Sequence, residues 1–288
     1  MQRGRFLTVS FPKKIQIETT VLCNGKCHFC PQKLVKREPK YMDDALIRHI
    51  VDQTRGRGMV HRPFLLNEPF SDKRMPGIIR YIKEDPTATV ELNSNAGLLA
   101  PELSEAAIRA GLDVMRFSVD AFSSDVYAQS GRGIDYDRVV KNIIDFIDLR
   151  NRLAPSLEVH VRMVDLDINR HQQADYLAFW KEKGVIAEVV PLYNYPWTGQ
   201  TECVPKPCPK IREEIFFQTD GRAVLCCWDY GSRGVIGDIR ENSLEEIWNG
   251  ARNREWRDLL SEGKRDEITL CSRCDGFRDY DFTGWPGY

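Results

Sequence analysis

The chain has 288 residues, with 41 Lys+Arg against 42 Asp+Glu and a net charge of −1, so no overall basic field invites nucleic acid. Mean hydropathy is −0.43, and no apolar run is long enough to cross a bilayer or to form a signal-peptide core. Nine cysteines would be hazardous in an oxidising compartment; gathered in short loops, they suit a reducing cytoplasm. The length suits one barrel-sized domain plus a small appendage.

Residues 14–18, Lys-Ile-Gln-Ile-Glu, alternate apolar and polar and predict a strand. Directly after it come Cys23, Cys27 and Cys30, spaced Cys-x3-Cys-x2-Cys, with Phe29 just before the last. Three thiolates on one loop can hold three corners of a cubane iron–sulfur cluster. Ordinary electron-transfer clusters take four cysteines, so a triplet leaves one iron open to a small molecule. A zinc knuckle or a set of buried thiols is the alternative reading.

Asp43 is positioned to cap a helix whose apolar residues Leu46, Ile47, Ile50 and Val51 recur at helical spacing. An apolar strand is predicted over 62–66, running into Asn67-Glu68-Pro69, and a helix over 76–82. The strand predicted over 89–92 leads into Asn93-Ser94-Asn95-Ala96-Gly97. Another over 114–120 ends in Ser118-Val119-Asp120, and Arg132 follows in Ser130-Gly131-Arg132-Gly133. A helix over 137–149, a strand over 158–164 and a strand over 185–192, ending at Leu192, complete the pattern. About six strand–helix alternations predict a parallel α/β sheet with crossover helices.

The proline-rich residues 203–209 read as a boundary. Beyond them, apolar runs over 214–218 and 223–226 flank Asp220-Gly221, a hairpin signal. Ser243-x-x-Glu246 is a capping box for a helix predicted to run to about residue 260. A second cysteine set follows, with Cys208 and Cys226 on either side of the hairpin and Cys271 and Cys274 as a late CxxC pair. Its spacing suits either an iron–sulfur cluster or a four-cysteine zinc ribbon. Cys203 and Cys227 are left over.

The triplet with its aromatic residue resembles the signature of the radical S-adenosylmethionine (radical SAM) superfamily, and the strand-end motifs follow in that family's order. The resemblance covers about residues 14–275. It implies a partial (β/α)6 TIM-like barrel over 1–202 and a small β-hairpin plus helix over 203–288. The latter is similar to the twitch domain, the short form of SPASM. Two [4Fe–4S] clusters are implied, one on Cys23, Cys27 and Cys30 and an auxiliary one on Cys208, Cys226, Cys271 and Cys274. S-adenosylmethionine would meet Phe29, Asn67, Glu68, Pro69, Asn93, Ser118, Arg132 and Leu192. Asn67 stands where the family usually carries glycine.

The implied chemistry is reductive cleavage of S-adenosylmethionine to a 5′-deoxyadenosyl radical, fed by an external donor such as flavodoxin or ferredoxin. The radical would abstract hydrogen from a small polar metabolite of sugar, aminocyclitol or nucleoside type. Only twenty-two residues precede Cys23, which favours such a metabolite over a peptide. A fully ligated second cluster suits electron acceptance, as in the similar radical SAM aminocyclitol dehydrogenases, so dehydrogenation leads. Epimerisation, decarboxylation and peptide modification are the alternatives, with a non-enzymatic zinc protein as the opposing class. Tyr193, Asn194, Tyr195 and Trp197 form an aromatic loop suited either to a hydroxylated ring or to packing between domains. Cys227 is a candidate hydrogen donor, or else a small buried apolar residue.

Overall fold

Strand–helix alternation produces β1 (Lys14–Ile17), α1 (Asp44–Asp52), β2 (Val60–Arg62), α2 (Met75–Ile82), β3 (Thr89–Ser94) and α3 (Pro101–Arg109). It continues through β4 (Val114–Ser118), α4 (Ser124–Gln129), α5 (Tyr136–Leu153), β5 (Glu158–Asp165), α6 (Gln173–Glu182) and β6 (Ile186–Pro191). The computed structural model describes residues 10–192 and 203–277. In it β1 to β6 lie side by side in sequence order, every pair parallel. This is the partial barrel of an α/β protein, built from crossover units. Asp43 caps α1 by accepting from the Ala45 N–H at 2.7 Å, and Asp135 caps α5 through the Arg138 N–H at 2.7 Å.

Pleat alternation decides what the barrel's two faces carry. Val90, Leu92, Met115, Phe117, Val159 and Val161 are fully or almost fully buried beneath the helices. Each such side chain contributes roughly 1.5–3 kcal/mol. The opposite face of the same strands presents Glu91, Asn93, Arg116, Ser118 and Arg162, all partly buried. A barrel interior is ordinarily filled by branched apolar side chains. Here it is polar, and that leaves room for a site.

The second half is α7 (Lys210–Glu213), β7 (Glu214–Phe217), β8 (Arg222–Val224), β9 (Val235–Asp238), α8 (Leu244–Trp248) and α9 (Ala251–Ser261). β7 pairs in parallel with β1, from Lys14↔Glu214 to Ile17↔Phe217, while β8 and β9 follow antiparallel. One nine-stranded sheet therefore runs through both halves. The hairpin turns at Gly221, whose φ of +85° is open to glycine at little cost.

Two predicted elements need correction. The second strand is Val60–Arg62, not 62–66. Pro63 has no N–H to offer a ladder, and the apolar residues after it pack in a loop, with the Leu65 N–H donating to Asn67 Oδ1 at 2.8 Å. The single helix predicted from residue 243 to about 260 is two helices. The capping box forms, the Glu246 N–H donating to Ser243 Oγ at 3.2 Å and the Ser243 N–H to Glu246 Oε2 at 2.8 Å. α8 then stops at Asn249-Gly250, and Gly250, extended at ψ 148°, starts α9. α3, α4 and α6, left unplaced by periodicity, fill the remaining crossovers. Among the described residues no helix is long and apolar enough to cross a membrane.

Candidate active site

The strands' carboxyl ends open into a cavity of about 410 Å³, the usual place for a site on a parallel barrel. Cys23, Cys27 and Cys30 line it together with Phe29, Asn67, Glu68, Asn93, Ser118 and Arg132. Residues as far apart in the chain as Cys23, Asn67, Asn93 and Ser118 meet there because they follow or end different strands. Pro69 does not reach the cavity; it is buried at the start of a short 3₁₀ turn behind Glu68. Leu192 is partly buried and outside the lining. Tyr193, Asn194, Tyr195 and Trp197 lie outside the described residues.

The cysteine loop is clasped by the loop after α4. The Lys26 N–H donates to the Arg132 carbonyl at 2.9 Å, and the His28 N–H to the Ser130 carbonyl at 3.4 Å. Gly131 sits between, at φ +70°, where a Cβ would lie 2.2 Å from His28 Nε2. Cys23 Sγ accepts from the Gly25 N–H at 3.3 Å and from Asn95 Nδ2 at 3.9 Å. Burial pushes the Cys23 thiol up to about 12 and raises Cys27 and Cys30 as well. Thiolates at this loop therefore need a bound cation, which iron would supply.

Glu68 acts first within the protein. Its carboxylate accepts from Ser94 Oγ at 2.8 Å, the Asn95 N–H at 2.7 Å and the Phe70 N–H at 3.2 Å. Burial raises its pKa to about 7 against those hydrogen bonds. Arg132 donates through Nε to Asp120 at 2.9 Å, both side chains being buried. Asp229 closes its own turn by accepting from the Arg233 and Gly234 N–H groups at 2.9 and 2.7 Å.

Sequence reading missed part of the lining: Gln16, Arg62, Ser94, Asn95, Arg116, Arg162, Lys210 and Trp228. The signal was available, since Arg116 and Arg162 interrupt strands otherwise apolar at neighbouring positions. A parallel strand covered on both faces should read as a near-continuous apolar run.

Cys208, Cys226, Cys271 and Cys274 surround a second, apolar pocket with Ile211, Leu225, Leu260 and Leu270. Arg265, almost fully buried, clamps its rim by donating to the carbonyls of Lys206, Pro207 and Gly276, each at 2.7 Å. Cys226 Sγ accepts from the Trp228 N–H at 3.4 Å and Cys274 Sγ from the Gly276 N–H at 3.3 Å, the kind of support that iron–sulfur thiolates receive. Among the described residues no three Cys, His, Asp or Glu side chains converge tightly enough for one metal ion. Four thiols spread around one apolar pocket fit a cluster better than a single zinc. Cys227, buried next to them, lines the main cavity while its thiol stays within hydrogen-bonding reach of the Cys226 side chain. Cys203, partly buried, donates weakly to the Cys271 carbonyl at 3.8 Å.

Residues 17–164 match the model of the radical SAM superfamily, and residues 208–275 match the iron–sulfur cluster-binding SPASM domain. The chain belongs to the radical SAM superfamily. S-adenosylmethionine and iron–sulfur clusters are the cofactors that this membership supports. The S-adenosyl-L-methionine-dependent 2-deoxy-scyllo-inosamine dehydrogenase of Niallia circulans is 22% identical over 272 residues, covering 91% of this chain and 92% of that one. A probable GTP 3′,8-cyclase of Methanocaldococcus jannaschii is 25% identical over 179 residues, 62% of this chain. The match spans 58% of that cyclase's length. Among solved structures, BtrN in complex with AdoMet and 2-DOIA has a TM-score of 0.66 at 19% identity, over 92% of this chain and 94% of that one. Native anSMEcpe with bound AdoMet has a TM-score of 0.68 at 14% identity, over 94% and 92%. Both show a shared fold.

Proposed function

We propose that this chain is a radical SAM dehydrogenase acting on a small polar metabolite, with two [4Fe–4S] clusters and an external one-electron donor such as flavodoxin or ferredoxin. Cys23, Cys27 and Cys30 would hold a cluster with S-adenosylmethionine beside it, and that pair would supply radical chemistry for breaking a substrate C–H bond. Phe29, Asn67, Glu68, Asn93, Ser118 and Arg132 would hold and orient the cofactor, and the cavity walls would exclude water. For a net oxidation the substrate must then lose a proton and one further electron. The observation that supports this reading is a shared wall. Lys210 and Trp228 line both the main cavity and the four-cysteine pocket, so a single layer of side chains separates substrate from the electron's exit.

Cys271→Ala with Cys274→Ala should stop product formation while sparing some cofactor cleavage. Product two hydrogens lighter than substrate, with one S-adenosylmethionine consumed per product, would support dehydrogenation. A second reading has its own observation, since Cys227 faces the main cavity. Were it a hydrogen donor in an epimerisation, product made in deuterated water would be mass-neutral apart from one deuterium at the reacting carbon. Cys227→Ala would then still abstract hydrogen but lose turnover.

A further inference from the structure

Four cations stand in the cavity wall where a barrel ordinarily carries aliphatic side chains. Arg62, Arg116, Arg162 and Lys210 come from β2, β4, β5 and α7, and all four line the cavity. Their carboxylate partners do not. Arg62 Nη2 and Arg116 Nη1 both reach the same Glu91 oxygen, Oε2, at 2.8 and 3.0 Å. Arg162 Nε donates to Glu188 Oε2 at 2.7 Å, while Lys210 and Arg62 reach Glu214 Oε2 at 3.5 Å each. Glu91, Glu188 and Glu214 are absent from the lining and anchor the cations from outside it; Arg62 turns all three of its nitrogens to Glu91 and Glu214, whereas Arg116 and Arg162 are each held through one nitrogen. Glu188 is further divided, because His160 also bonds to it at 2.8 Å. Among the described lining residues Glu68 is the one carboxylate, and its oxygens already accept from three protein donors.

Arg132, the fifth cation of the lining, is already held by Asp120, which leaves four lining cations sharing three carboxylates that stand outside the lining. Burial lowers the Arg116 pKa, and the neighbouring Arg162 and Arg62 lower it further against the opposing pull of Glu91. Filling the same volume with apolar groups would cost less than burying these charges. Guanidinium forks are suited to oxygen anions in bidentate geometry. An ammonium group, such as an aminocyclitol carries, would meet like charge here.

Resting on the radical SAM reading above, we infer that the substrate is an anionic small molecule, whose phosphate or carboxylate group is held by Arg62, Arg116, Arg162 and Lys210. The test reads binding without turnover, so its failure is distinct from a failure of the radical chemistry, which would show as missing iron or missing cofactor cleavage. Holoprotein with S-adenosylmethionine bound is titrated calorimetrically, at constant ionic strength, with inorganic phosphate, malonate and the cation glucosamine. Phosphate or malonate should bind at one site per chain, with the preferred anion identifying a phosphate ester or a carboxylate. Arg116→Gln and Arg162→Gln should each weaken that binding at least tenfold with iron content unchanged, while Arg162→Lys should weaken it less. Binding of glucosamine alone, no anion binding, or anion binding indifferent to both substitutions would overturn the inference.

Discussion

Glu68 sets the pH response of the pocket. Its folded pKa, about 7, lies above the ordinary carboxyl value of 4.5 because burial outweighs its hydrogen bonds. Between those two values the native state holds a proton that the unfolded chain has released. Stability from this group is therefore full below pH 4.5 and is lost as pH rises through 7. Going from pH 6 to 8.5 should cost about 1 kcal/mol at this one residue. Denaturant titrations of wild type and Glu68→Gln at the two pH values should show that difference disappearing in the variant; an identical pH slope in both proteins would contradict it. A second residue, Arg37, ties the two halves together. It donates to both Glu18 oxygens, at 3.0 and 2.7 Å, and to the Tyr230 carbonyl at 2.6 Å, in a buried setting. Arg37→Met would strand the Glu18 carboxylate and should lower stability by about 3–5 kcal/mol. Adding Glu18→Gln should recover much of that loss. A single variant within 1 kcal/mol of wild type, by the same titration, would mean the pair is not structural.

At the scale of elements, the clasp between the cysteine loop and the loop after α4 is the most sensitive joint. Gly131→Ala must displace His28, since its Cβ would stand 2.2 Å from the ring. Iron should fall from about eight per chain toward four, and His28→Ala in the same chain should restore much of it. Full iron loading in the single variant would show that the clasp can yield. The cysteine spacing and the strand alternation were legible in sequence because both are local patterns with short periods. β2 was misplaced because Phe64, Leu65 and Leu66 are apolar for a tertiary reason. Leu65 packs with Phe216, Val224 and Cys227, partners some 150 residues away. The helix break at Asn249-Gly250 was legible from a glycine after an asparagine, but the apolar spacing on either side hid it. For the cationic wall the sequence carries only a partial signal: Arg116 and Arg162 interrupt apolar strands, but only the strand register sets them beside Arg62 and Lys210.

Across the whole molecule, the decisive feature is that β7 extends the barrel sheet beside β1. β1 leads into the cysteine triplet, and β7 and β8 lead into Cys226 and Cys227. One backbone ladder thus fixes the spacing between the two cysteine sets. Cleavage of S-adenosylmethionine by the triplet site tests this arrangement most directly. Anaerobic wild-type protein should be brown, carry about eight irons and eight sulfides per chain, and form 5′-deoxyadenosine when reduced. With Cys23, Cys27 and Cys30 replaced by alanine, about four irons should remain on the second set and 5′-deoxyadenosine should vanish. Retained cleavage in that variant, or colourless wild-type protein with stoichiometric zinc, would contradict it.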